Sequence, residues 1–161
     1  MGKLYLKARA ELNNVTDLQP VDTTSDPFEY TFKIQCISCR EVHDKPITVN
    51  RFDHQGITGS RGEASFVFRC RQCKNEHSAS ILRTKEKITT ELSDKLVPIL
   101  EIDARGLDFV EFFPYGRFEC SATESTSKFD EVDLSEGEWY EYDDKAGTEV
   151  SVENVHWAIS R

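Results

Sequence analysis

Apolar and polar residues alternate with a period of two in several stretches of the chain, which sets the expected fold class. Leu4, Leu6, Ala8, Ala10 and Leu12 interleave with Tyr5, Lys7, Arg9 and Glu11, the pattern of a strand with one buried face. After Asn13-Asn14, a loop through Pro20 and Pro27 leads to a second alternating run, Phe28, Tyr30, Phe32, Ile34 and Cys36. Residues 55–62 hold three glycines and read as a loop, after which Ala64, Phe66, Phe68 and Cys70 alternate again. Segments 99–104, 109–113, 139–142 and 150–159 are strand-like through their Val, Ile and aromatic content. Only 85–96 has helical spacing, with Ile88, Leu92 and Leu96 in register before Pro98.

The expected fold is therefore mostly β, a small sandwich or barrel-like structure. Its 161 residues fit a single domain spanning 1–161. Segments 12–20 and 107–114 both run from an apolar strand into a proline, and this echo leaves open a division into two related halves, about 1–90 and 91–161. With 11% aromatic residues, the chain has the burial that disordered sequences lack. No stretch approaches the ~20 apolar residues of a membrane span, and the first residues lack the apolar core of a signal peptide. A cytoplasmic location is expected, with the nucleus as the alternative.

The five cysteines then add chemistry. Four form two Cys-x-x-Cys pairs, Cys36-Ile-Ser-Cys39 and Cys70-Arg-Gln-Cys73, with thirty residues between them; Cys120 stands alone. Two residues between cysteines let both sulfurs turn inward at one tight knuckle, so two knuckles complete a tetrahedron of thiolates around a single Zn²⁺. The runs ending at Cys36 and Cys70 would bring the knuckles together. Four thiolates leave no open position, which implies a structural rather than catalytic ion. Arg40, Arg69, Arg71 and Lys74 flank the ligands, as charge compensation or as a basic patch. Because zinc knuckles often carry Gly where Arg40 and Lys74 stand, a slight deviation in geometry is expected. His43 and His77, each four residues after a second cysteine, read as loop residues or as donors to the sulfurs, and Cys120 as a buried small residue.

The charge of -9 is uneven. In 31–90 eleven Lys and Arg face six Asp and Glu, whereas in 91–161 six face eighteen. The zinc half is basic and the other half is acidic, including the dense run 130–144.

With these features placed, the whole chain resembles the eukaryotic family of CXXC-motif-containing zinc-binding proteins, a domain of unknown function. The resemblance is carried by Glu11-Leu12-Asn13-Asn14-Val15, by the two cysteine pairs and by Gly59-Ser60-Arg61-Gly62-Glu63-Ala64-Ser65. Ala104-Arg105-Gly106-Leu107 and the acidic segment around Trp139 carry it further. It implies a small, mostly β fold of two related halves with one zinc site at Cys36, Cys39, Cys70 and Cys73, and no established catalytic activity.

The function expected from these readings is a zinc-stabilised protein-interaction module, monomeric, with a protein partner and no membrane. Metal handling or redox sensing through thiolate oxidation is one alternative. Nucleic-acid binding through Arg51, Arg61, Arg69, Arg71 and Lys74 is another, opposed by the global charge and by the lack of a stacking stripe. An enzyme is not expected. The zinc deaminase pattern is absent, the cysteine pairs follow strands rather than opening helices, and Cys120 has no basic partner nearby except Arg117.

Overall fold

The computed structural model describes residues 2–161 and is built almost entirely of strands. In chain order these are β1 (Gly2–Asn13), β2 (Val15–Pro20), β3 (Tyr30–Cys36), β4 (Ile47–Val49), β5 (Gln55–Gly56), β6 (Glu63–Ala64) and β7 (Phe66–Arg69). They continue as β8 (Glu76–Arg83), β9 (Val97–Arg105), β10 (Leu107–Phe113), β11 (Phe118–Ala122), β12 (Lys128–Val132), β13 (Trp139–Asp143) and β14 (Thr148–Ser160). Each alternating run read from the sequence falls on strands here, the third on two of them. No helix among the described residues is long and apolar enough to cross a membrane.

Three departures from the sequence pattern have identifiable causes. Segment 85–96 is not a helix; it holds a single 3-10 turn, Thr90–Leu92. Ile88 and Leu18 exchange both backbone hydrogen bonds, at 2.9 and 3.1 Å, and the Thr90 N–H donates to Thr16 Oγ1, so the backbone groups a helix needs are taken. Segment 15–20 is a strand rather than a loop. Its alternation is hidden because Asp17 is left-handed, φ 58°, and the β2–β11 register shifts beside it. Segment 64–70 is split at buried Ser65, whose Oγ accepts the Ile81 N–H, so Ala64 pairs with Gln55 while Phe66–Arg69 pairs with β8.

A six-stranded antiparallel sheet runs β13-β14-β1-β9-β8-β7, and two three-stranded sheets run β10-β3-β4 and β12-β11-β2. The long strands cross between sheets at single left-handed residues, Asn14 between β1 and β2 (φ 61°) and Gly106 between β9 and β10 (φ 82°), so the sheets curl around one interior. This strand order is unchanged when β1 is exchanged with β9, β2 with β10, β3 with β11, β4 with β12, β7 with β13 and β8 with β14. The register follows the same exchange: Leu107 stands opposite Cys36, and Val15 opposite Ala122.

The interior is one cluster that draws residues from every strand except β5 and β6. Phe32 is fully buried and meets Phe109 edge-on at 5.0 Å and Phe112 at 5.3 Å, a favourable geometry for aromatic rings. The Asp22 carboxylate lies inside as well. It accepts Phe28 N–H at 3.1 Å, Tyr30 Oη–H at 2.7 Å and Arg51 Nε–H at 2.8 Å, so this buried charge is paired and hydrogen-bonded. Burial, reinforced by Asp22, keeps the Tyr30 phenol far above its ordinary pKa and therefore protonated. Phe32→Ala is expected to cost about 3–5 kcal/mol, because it removes apolar contacts and leaves a cavity; denaturant unfolding with zinc present measures it.

Candidate metal centre

Cys36 closes β3 and Cys70 directly follows β7, while Cys39 and Cys73 lie three residues further along each chain reversal. The two reversals share one backbone pattern. Arg40 N–H donates to Cys36 C=O at 2.9 Å and Cys36 N–H to Glu41 C=O at 2.9 Å. Lys74 N–H likewise donates to Cys70 C=O at 2.8 Å and Cys70 N–H to Asn75 C=O at 2.9 Å. Arg40 and Lys74 sit at φ 68° and 67°. The deviation expected from their identity is therefore not found: both adopt the left-handed conformation that glycine takes cheaply, at a cost of roughly 1–2 kcal/mol each.

This local geometry turns four sulfurs toward one point. Their Sγ atoms all lie within 4.8 Å of one another, with Cys36–Cys73 at 3.7 Å and Cys39–Cys70 at 3.6 Å. A regular tetrahedron with metal–sulfur bonds of ~2.3 Å has edges of about 3.8 Å, so the set fits a tetrahedral ion. Taken as four thiols alone, it is electrostatically crowded. Amide hydrogens of Cys73 and Gln72 draw the Cys70 thiol down to about 7. On Cys39 the Glu41 amide pulls the same way, but burial and the other three thiols outweigh it and push Cys39 up to about 12. Only a cation lets all four ionise together.

His77 completes the surroundings. It lies buried on β8, with Nε2 3.1 Å from Cys36 Sγ; burial lowers its pKa and favours the neutral ring, and toward a metal-bound Cys36 thiolate, which can only accept, Nε2–H is the donor. It is a donor to a ligand rather than a ligand or a loop residue. Gly106 makes room for it. A Cβ there would lie 2.1 Å from His77 Nδ1, and its φ of 82° independently favours glycine, while its C=O accepts the Ile37 N–H at 3.0 Å. His43 instead packs against Phe68, its Nδ1 4.0 Å from Asp44. The flanking cations do not compensate the sulfurs by direct hydrogen bonds. Arg69 donates to Lys74 C=O at 2.7 Å, and Arg71 pairs with Asp44 at 3.2 Å. Cys120 is buried on β11 outside the four-cysteine group, its thiol pushed up to about 12 by burial and by Glu119.

The strand exchange places a second pair of reversals in the acidic half. Ala122 N–H donates to Ser127 C=O at 2.9 Å and Gly147 N–H to Asp143 C=O at 2.7 Å, the spacings seen at Cys36 and Cys70. Ala122, Ser125, Asp143 and Ala146 thus stand where the four cysteines stand. Here the buried Asp143 carboxylate closes the pair, accepting Ser125 and Ser127 Oγ–H at 2.7 and 2.8 Å and the N–H groups of Lys145 and Ala146 at 3.1 and 3.3 Å. Led by Ser125, these donors hold it below the ordinary carboxylate range. The signal in the sequence is faint: Gly147 follows Asp143 by four residues, as Lys74 follows Cys70.

A curled fold built almost entirely of strands, holding four convergent cysteines on two Cys-x-x-Cys knuckles, defines the class as a metal-binding β protein. The comparisons with known proteins sharpen this: the family model for the eukaryotic CXXC motif containing zinc binding protein matches residues 5–160, and the chain belongs to that family. A UPF0587 protein of Schizosaccharomyces pombe is 40% identical over 161 residues, covering 100% of this chain and 99% of its own. The Homo sapiens CXXC motif containing zinc binding protein is 35% identical over 156 residues, 96% of each chain. The crystal structure of C1orf123 superposes with a TM-score of 0.90 at 33% identity, covering 99% of both chains. A hypothetical protein from Plasmodium falciparum shares the fold, with a TM-score of 0.88 at 22% identity over 99% of this chain and 100% of its own.

His77→Phe removes the donor to Cys36 and is expected to lower Zn²⁺ affinity about 10–100-fold, measured by competition with a chromophoric chelator. Gly106→Ala is expected to destabilise by at least ~1–2 kcal/mol from backbone strain and to lower Zn²⁺ affinity as well, because the new methyl group displaces the imidazole.

Proposed function

We propose that the four cysteines hold one zinc ion per chain as a structural brace, and that the braced fold is a protein-interaction module rather than an enzyme. The observation that carries the reading is the closed donor set. Four sulfurs with tetrahedral edges leave no position for water or substrate, and the nearest histidine spends its facing nitrogen on a sulfur. The ion would cross-link the end of β3 to the β7–β8 reversal, which belong to different sheets; on the scale of zinc-finger sites that linkage is worth on the order of 10 kcal/mol of folding free energy.

Charge asymmetry supports a protein partner. The basic zinc half and the acidic half each present a field that speeds encounter with an oppositely charged surface more than it adds affinity. A nucleic-acid reading has less support, since Arg51 is held by buried Asp22 and Arg69 and Arg71 are engaged around the knuckles. One observation favours metal handling or redox sensing as the second reading: Cys39 and Cys73 are only partly buried, so an oxidant or chelator can reach two of the four sulfurs.

The test is zinc per chain, measured without added metal, in the native protein and in Cys70→Ser/Cys73→Ser, with partner capture on both. One zinc in the native protein, none in an unfolded variant, and a partner lost with it are the expected results. A native protein that folds without zinc overturns the structural role and moves metal transfer or redox sensing forward.

A further inference from the structure

The six-stranded sheet ends at β7 on one side and β13 on the other, strands that exchange in the order of the sheet, and the two edges are finished differently. At β7 the chain covers its own edge. Segment 50–65 carries the β5–β6 hairpin back to it, Gln55 Oε1 accepts the outward N–H of Val67 at 2.9 Å, and Thr58 donates both N–H and Oγ–H to the Glu76 carboxylate at 2.9 and 2.8 Å.

At β13 the equivalent connection is just 133–138 and carries no hairpin. Counting from Cys70 and Asp143, Tyr140 stands where Val67 stands and Glu149 where Glu76 stands. The Tyr142 N–H points off the sheet onto its neighbour, the Glu141 carboxylate, at 3.0 Å, and the Tyr140 N–H, two residues back, turns the same way. Among the described residues the groups bonded to Glu149 reach its C=O, through Asn14 Nδ2, and none reaches its carboxylate. Beside this edge, on the outward face of β13, β14 and the end of β1, lies an open groove of about 570 Å³ bordered by Asn13, Tyr140, Tyr142, Glu149, Ser151 and Glu153. Tyr140 is 59% and Tyr142 49% exposed. Among the described residues no Lys or Arg pairs with Glu138, Glu141, Glu149 or Glu153.

We propose that an extended, Lys- and Arg-bearing segment of a partner protein adds along the β13 edge, just as the internal hairpin covers β7, and lays its alternate side chains over the neighbouring groove. The inference rests on the interaction-module reading and names its surface. The chemistry is complementary at three points. A free strand edge offers backbone hydrogen bonds to an extended peptide. Two tyrosine faces accept guanidinium groups. The carboxylates supply the charge that the segment neutralises: among the described residues Glu149 lacks the donors that Thr58 supplies to Glu76, and Glu153 is met only by the neutral groups of Asn13, Tyr140 and Ser151.

The test titrates the ¹⁵N-labelled, zinc-loaded full chain with a ten-residue peptide of alternating Arg and Thr at 0.15 M salt, using the Glu–Thr peptide as control. Saturable shifts at the amides of Tyr140, Tyr142 and Glu149 are expected, with slowed hydrogen exchange at Tyr140. Tyr140→Ala/Tyr142→Ala and, separately, Glu149→Gln/Glu153→Gln should each weaken binding by at least about tenfold while keeping the native melting temperature. Shifts confined to other acidic surface, equal binding by the variants, or no saturation overturn the proposal. Protection of Tyr140 that rises with protein concentration alone overturns it in favour of a second copy of this chain. If a zinc-dependent partner binds Tyr140→Ala/Tyr142→Ala as well as native protein, the interaction module stands and this groove falls; if the peptide binds but no zinc-dependent partner exists, the reverse holds.

Discussion

The architecture depends on two residues that hold a left-handed backbone in the middle of long strands. Asn14 and Gly106 each let a strand leave the six-stranded sheet and re-enter pairing in a three-stranded one. Without those reversals of φ, β1 and β9 would continue flat and their apolar faces would find no cover. Gly106 carries a second duty. Its missing side chain admits the His77 ring, and its C=O receives the N–H of Ile37 inside the first knuckle. The bend that closes the sheets and the environment of the metal centre are therefore one piece of geometry.

Two pairs of chain reversals, related by the exchange of strands, are closed by different chemistry. In the basic half, four sulfurs meet and need a cation to share their charge. In the acidic half, one carboxylate collects two hydroxyl and two amide hydrogens and completes its charge-assisted hydrogen bonds without a metal. Both solutions satisfy the same requirement, that polar groups turned inward at a tight turn be fully paired.

The surfaces diverge in the same way. The basic half keeps its edge strand under its own hairpin and ties several cations into local pairs, Arg51 with Asp22 and Arg71 with Asp44. The acidic half leaves its edge strand and the Glu138, Glu141 and Glu149 carboxylates facing water. Charge asymmetry in the sequence thus becomes, in three dimensions, a difference between a covered end and an open one.

The strand content and the four cysteines whose sulfurs converge were legible in the sequence because both rest on local rules. A period of two reports one buried face, and two residues between cysteines report a knuckle. The helix expected at 85–96 failed because the Ile88 backbone pairs with Leu18, seventy residues away, a preference no local period records. Segment 15–20 escaped because a left-handed Asp17 breaks its alternation, and β8 because its buried positions include His77, Ser78 and Ala79 rather than large apolar residues. His77 was marked by its spacing, but only packing against Gly106 sets which nitrogen meets Cys36. The role of Asp143 and the open β13 edge belong wholly to the tertiary structure, because they follow from which strands become neighbours. That choice is made by burial and pairing across the whole chain, beyond the reach of any single segment.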